Sequence, residues 1–128
     1  MGPEKDIETR EDLEILLREF YNVLLKDDSI NYIFTDVARI DMEAHIPVIT
    51  DFWEMVLFQT GSYRKNAIQV HTELNKLTPL TAGHFKTWLH HFNNTVDRLY
   101  NGSNAFQVKQ RAASIATIMQ IKIKQTGP

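Results

Sequence analysis

The chain has no cysteine, which excludes disulfide bridges, thiolate metal sites and cysteine nucleophiles together. It has no dominant charge either. With 14 basic and 16 acidic residues the formal charge is −2, so no overall field draws the chain to nucleic acid or to an acidic membrane, and neither is an expected partner. Long hydrophobic runs are missing as well. The longest aliphatic and aromatic run is residues 55–58, and the opening MGPEKDIETRED is acidic without an apolar stretch, so the sequence reads as having neither signal peptide nor membrane span. The cytoplasm is the expected compartment. A length of 128 residues suits a single domain over 1–128, with 1–8 as a flexible N-terminal segment.

No strand-like alternation and no internal repeat compete with the helical period that is present. Thr9 and Asp12 make a capping-box start, and Leu13, Leu16, Leu17, Phe20, Tyr21 and Leu24 follow at helical spacing, predicting a helix over about 10–26. Residues 29–40 read as short helical turns. Asp41 then caps a helix reaching about Gln59, with Gly61 supplying the left-handed residue that ends it and Pro47 kinking it near Glu43. On that helix, at about 100° per residue, His45, Ile49, Phe52 and Val56 form one inward stripe. Thr81 starts a further helix carrying Phe85, Trp88, Leu89, Phe92, Val96 and Leu99 until Asn101-Gly102 stops it. Ser103 opens the last helix, buried through Val108, Ala112, Ile115, Ala116, Met119 and Ile123 and closed by Gly127. The fold class is all-α. The long irregular connection between the second and third long helices does not suit a plain four-helix bundle.

Within that connection Ala67, Val70, His71 and Leu74 fall at i, i+3, i+4 and i+7, so His71 stands among apolar neighbours on a short helix. Alone, such a histidine is either a core residue bonded to a carbonyl or a ligand offering its lone pair. Tyr21 and Trp88 likewise read as amphipathic core residues when taken singly. His84 and His91, two turns apart with His90 adjacent, read as surface residues, because two histidines without a third ligand do not make a zinc site. Lys109, Arg111, Lys122 and Lys124 form no dense stripe and read as a solvated face, and no nucleophile arrangement is present.

Taken in order, Phe20-Tyr21, Ile33-Phe34, His45-Ile46-Pro47 with Phe52-Trp53, Gly61-x-Tyr63 before His71, and Phe85-x-x-Trp88-Leu89 resemble a truncated haemoglobin of the third group over nearly the whole chain. The absence of glycine pairs between the helices is similar to this group too. The resemblance implies a shortened globin fold, a two-over-two helical sandwich around haem b. It implies His71 as the proximal iron ligand, Tyr21, His45 and Trp88 as distal residues, and Phe34, Ile49, Phe52, Tyr63, Val70, Leu74, Phe85, Ile115 and Met119 as pocket residues. Two positions depart from the family pattern. Met42 stands where tryptophan is frequent, and Val48 where a lysine often reaches a haem propionate, a role left to Arg64 or Lys65. The expected function is binding of dioxygen and other diatomic gases at haem iron, or redox chemistry on oxygen, nitric oxide or peroxide with a separate reductase. A haem-free helical interaction module is the alternative.

Overall fold

The computed structural model describes residues 3–59 and 80–126, with side chains to residue 123. The expectations for Gly61, Tyr63, Arg64, Lys65, Val70, His71, Leu74 and Gly127 fall outside the described residues. Helix α1 is Arg10–Leu24 and opens on the expected capping box. The Thr9 hydroxyl accepts from the Asp12 amide at 3.2 Å, and the Asp12 carboxylate accepts from the Thr9 amide at 3.1 Å, satisfying donors that a helix start leaves unpaired. The following turns close into a π-helical segment, Ile33–Val37, where the Ala38 amide donates to the Ile33 carbonyl at 2.8 Å.

Helix α2 is Met42–Phe58, capped by Asp41 and helical through Pro47. Its end differs from the expectation. Gln59 itself takes the left-handed conformation at φ 61, two residues before Gly61, and its amide closes on the Met55 carbonyl at 3.0 Å. A non-glycine residue tolerates that region at modest cost when the cap hydrogen bond offsets it. Arg10 fastens the start of α1 to α2, its Nη1 donating to Asp51 at 2.6 Å and to Glu54 at 3.0 Å.

Helix α3 is Ala82–Leu99 and helix α4 is Ser103–Thr126. Between them Gly102 adopts φ 149, and a Cβ there would collide with the Asp6 side chain. Residues around it are joined to the start of α4. Ile7 is fully buried, the Asn101 amide donates to the Lys5 carbonyl at 2.8 Å, and Asp6 accepts from the amides of Asn104 and Ala105 at 2.9 and 2.8 Å. A carboxylate at a helix N-terminus satisfies two unpaired donors and the helix dipole at once.

Helix α1 packs on α2, α3 packs on α4, and the two pairs meet where α1 lies against α3 and α2 against α4. Phe92 is at the centre and is fully buried. The Trp53 ring stacks on it at 5.2 Å and 19°, the Trp88 ring at 5.6 Å and 10°, and Phe20 meets it edge-on at 5.3 Å and 88°. Full burial of one such side chain stabilises by about 1.5–3 kcal/mol. The cluster also fixes the rings that border the cavity described next. Among the described residues there is no strand, and no helix is long and apolar enough to cross a membrane.

Candidate ligand-binding cavity

The four helices and the π-helical segment enclose a cavity of about 440 Å³, within the range of small-molecule and cofactor sites. Its walls are nearly all apolar. Helix α1 contributes Phe20 and Tyr21, the π-helical segment Phe34, α2 Ile49 and Phe52, α3 Phe85 and Trp88, and α4 Ile115 and Met119. The exceptions in chemistry are few, and two of them touch each other.

Tyr21 is 7% exposed, and its hydroxyl lies 2.9 Å from Nε2 of His45. The rings meet edge to face at 5.1 Å and 87°, and Phe34 closes on the other side of Tyr21 at 5.9 Å and 81°. Burial holds the Tyr21 hydroxyl well above the usual phenol range, so it keeps its proton and remains both donor and acceptor. The direction of the bond follows the His45 tautomer. With the proton on Nε2, His45 donates to the Tyr21 oxygen and leaves the Tyr21 O–H to point at a third group; with Nε2 bare, Tyr21 spends its proton on His45. Trp88 adds an indole, a donor only, on a ring held by Phe92 and Phe20.

The structure therefore brings together Tyr21, His45, Trp88, Phe34, Ile49, Phe52, Phe85, Ile115 and Met119 on one cavity. Tyr63, Val70, His71 and Leu74, with Arg64 and Lys65, lie outside the described residues. Sequence reasoning missed Ile33, Trp53 and Ala116 as lining residues, and it missed His84. Read as a surface residue, His84 instead faces the cavity, one helical turn before Trp88, and closes the α3 capping box through Nδ1. The spacing of four between 84 and 88 carried that signal. His91 also departs from the surface reading. Its Nε2 is 2.6 Å from the Asp27 carboxylate and its side chain is 18% exposed; with Ser29 it holds the Asp27 carboxyl down to about 2. That pair ties the residues after α1 to α3, away from the cavity lining.

The arrangement suits a mostly apolar group that meets a few polar side chains. Apolar walls expel water, and the Tyr21–His45 pair offers hydrogen bonding at the cavity wall.

No family model matches the chain. Over 121 residues it is 26% identical to a group 3 truncated haemoglobin of Campylobacter jejuni, an overlap covering 92% of this chain and 93% of that protein. The crystal structure of the group III truncated haemoglobin from Campylobacter jejuni matches with a TM-score of 0.84 at 25% identity, over 98% of each chain. The all-helical fold is thus that of the shortened globins, and in both sequence and fold the chain is similar to the group III truncated haemoglobins, a family that implies a haem cofactor.

Proposed function

We propose that this chain holds haem b in the cavity and binds dioxygen and other small diatomic ligands there. The observation that supports the reading is the Tyr21 hydroxyl and His45 ring, hydrogen-bonded at 2.9 Å, facing a cavity with mostly apolar walls. A bound haem supplies ferrous iron, which takes up diatomic gases and exchanges electrons. The chain's own residues supply the rest. Tyr21, His45 and Trp88 present donors to a polar ligand, and Phe34, Ile49, Phe52, Phe85, Ile115 and Met119 exclude water around the macrocycle. On this reading His71 would hold the iron, a task that suits a neutral imidazole. The family resemblance would likewise give Tyr63, Val70 and Leu74 to the pocket and Arg64 or Lys65 to a propionate.

The physiological work is oxygen handling, or redox chemistry on oxygen, nitric oxide or peroxide, with electrons from a separate reductase. Titration of the purified chain with haemin tests the proposal. A sharpened Soret band saturating at one haem per chain is expected. Broad absorbance that never saturates would overturn it and return the chain to a haem-free interaction module.

A further inference from the structure

Asp27 opens the stretch of chain that walls the cavity between α1 and α2. Its carboxylate accepts from the Ser29 amide at 2.9 Å and the Ser29 hydroxyl at 2.7 Å, and its carbonyl accepts from the amides of Ile30 and Asn31 at 3.1 and 2.9 Å. Asp27 thus caps that stretch as an N-cap residue caps a helix. The bonds then run on in relay. The Ile33 amide donates to the Ile30 carbonyl at 3.2 Å, the Thr35 hydroxyl to the Asn31 carbonyl at 3.2 Å, and the Ala38 amide closes the π-helical turn on Ile33. Ile30, Ile33, Phe34, Ala38 and Ile40 from this stretch all line the cavity. Phe34 also meets Tyr21 edge-on, with the ring centroids 5.9 Å apart.

The cap uses one carboxylate oxygen of Asp27, and the other reaches α3. Because a carboxylate only accepts, His91 Nε2 carries the hydrogen of that 2.6 Å contact, and the two side chains are mostly buried. The bond fixes the rotation of the carboxylate and so the place of the cap relative to α3. His91 stands three residues after Trp88, so the wall is tied to the helix that presents Trp88 to the cavity. We propose that His91 is a positioning residue for the ligand site: by holding Asp27 it sets the wall from Ile30 to Ile40 and, through Phe34, the orientation of the Tyr21 hydroxyl. This rests on the haem reading above and extends it to a residue outside the cavity lining. Helix α3 meets the same stretch a second time, where His84 Nε2 lies 3.1 Å from the Tyr32 hydroxyl, so loss of His91 shifts the wall without detaching it.

The test pairs release of dioxygen and carbon monoxide from the haem-loaded chain with amide exchange of the purified chain, measured with and without haemin. His91→Leu removes the donor, and oxygen should leave about threefold to tenfold faster, the range of coupling within one hydrogen-bonded network, with carbon monoxide little changed. His91→Gln keeps an N–H for Asp27 and should restore most of the wild-type rate. In a Tyr21→Phe background His91→Leu should add nothing further, because its effect passes through the Tyr21 hydroxyl. The amides of Ala38 and Ile40, bonded to Ile33 and Phe34, should exchange faster in His91→Leu, while that of Gln59 at the end of α2 keeps its wild-type rate. His90→Leu is the control and should behave as wild type, since His90 is exposed and bonded to Asn94 on its own helix. Unchanged oxygen release in His91→Leu, equal acceleration of both gases, the same acceleration without the Tyr21 hydroxyl, or unaltered exchange at both wall amides overturns the assignment. A wild-type chain that takes up no haemin overturns the haem reading instead, and exchange without haemin then decides whether Asp27 and His91 hold the wall.

Discussion

The Tyr21 hydroxyl and His45 Nε2, 2.9 Å apart, join α1 to α2 across the wall of the cavity. Because one hydrogen is shared between them, neither residue acts on a ligand independently of the other. His45 in the Nε2–H form releases the Tyr21 proton for a ligand, so its role includes setting the direction of the tyrosine.

Tyr21→Phe should therefore speed release of dioxygen by roughly tenfold to a hundredfold, the span of a hydrogen bond of about 1.5–3 kcal/mol to a ligand with anionic character. Carbon monoxide, less polar when bound, should respond far less. Stopped-flow release of both gases from wild type and Tyr21→Phe measures this. If oxygen leaves no faster, or both gases speed up alike, Tyr21 is a packing residue and Trp88 is the leading donor. The Tyr21→Phe and His45→Leu effects should be less than additive, since each removes the same bond.

His71 on the proposed reading is the one indispensable iron ligand. In His71→Gly the axial bond should vanish and return on adding imidazole, and the unliganded ferrous wild type should be five-coordinate. Normal coordination of the glycine variant without imidazole would remove His71 from the site.

The helix starts were legible in the sequence because their causes are local. Thr9, Asp41 and Thr81 each cap through a residue two or three positions on, so a short window contains the whole interaction. That Tyr21, His45 and Trp88 line one cavity was legible only through spaced motifs in order, since taken singly they look like core residues. What escaped depends on distant partners. Ile7 is buried because Asp6 reaches the start of α4, a contact about a hundred residues away in sequence that no local pattern encodes. His84 was assigned to the surface by weighing it against His91, whereas its partners are Thr81 and Tyr32. The left-handed end of α2 fell on Gln59 rather than a glycine, a choice that propensity alone does not make.

The Asp6 contact sets an expectation for acid stability. Burial pushes the Asp6 carboxyl up, but the hydrogen bonds from the Asn104, Ala105 and Ile7 amides outweigh it and hold the group below the usual carboxylate range. Asp12 is lowered in the same balance, burial against the Glu8 and Thr9 amides and Lys5. A depressed folded-state value means that the stabilisation is complete above the unfolded carboxylate's titration and is lost as pH falls through the folded one. Asp6→Asn should cost about 0.3–1 kcal/mol at neutral pH, the range for a charge at a helix terminus, with the gap to wild type closing as the solution is acidified. Urea unfolding at a series of pH values reads this directly, and a gap that stays constant into strong acid would show that Asp6 acts by shape alone.

Phe92 couples the core to the cavity, because the Trp88 ring that borders the cavity stacks on it at 10° and Trp53 stacks on it at 19°. Replacing Phe92 with alanine should destabilise the chain by about 3–5 kcal/mol, the usual cost of emptying a buried aromatic site. Phe92→Leu is the more informative change. It keeps much of the volume but removes three aromatic contacts, each worth about 0.5–1.5 kcal/mol beyond its area, and it frees the indole of Trp88 to turn. Two consequences should then appear together: a lower urea midpoint, and altered tryptophan fluorescence in the folded baseline as both indoles lose their stacking partner. If the midpoint falls while the folded fluorescence is unchanged, Phe92 supports the core without orienting Trp88, and the indole must be held by Phe20 alone.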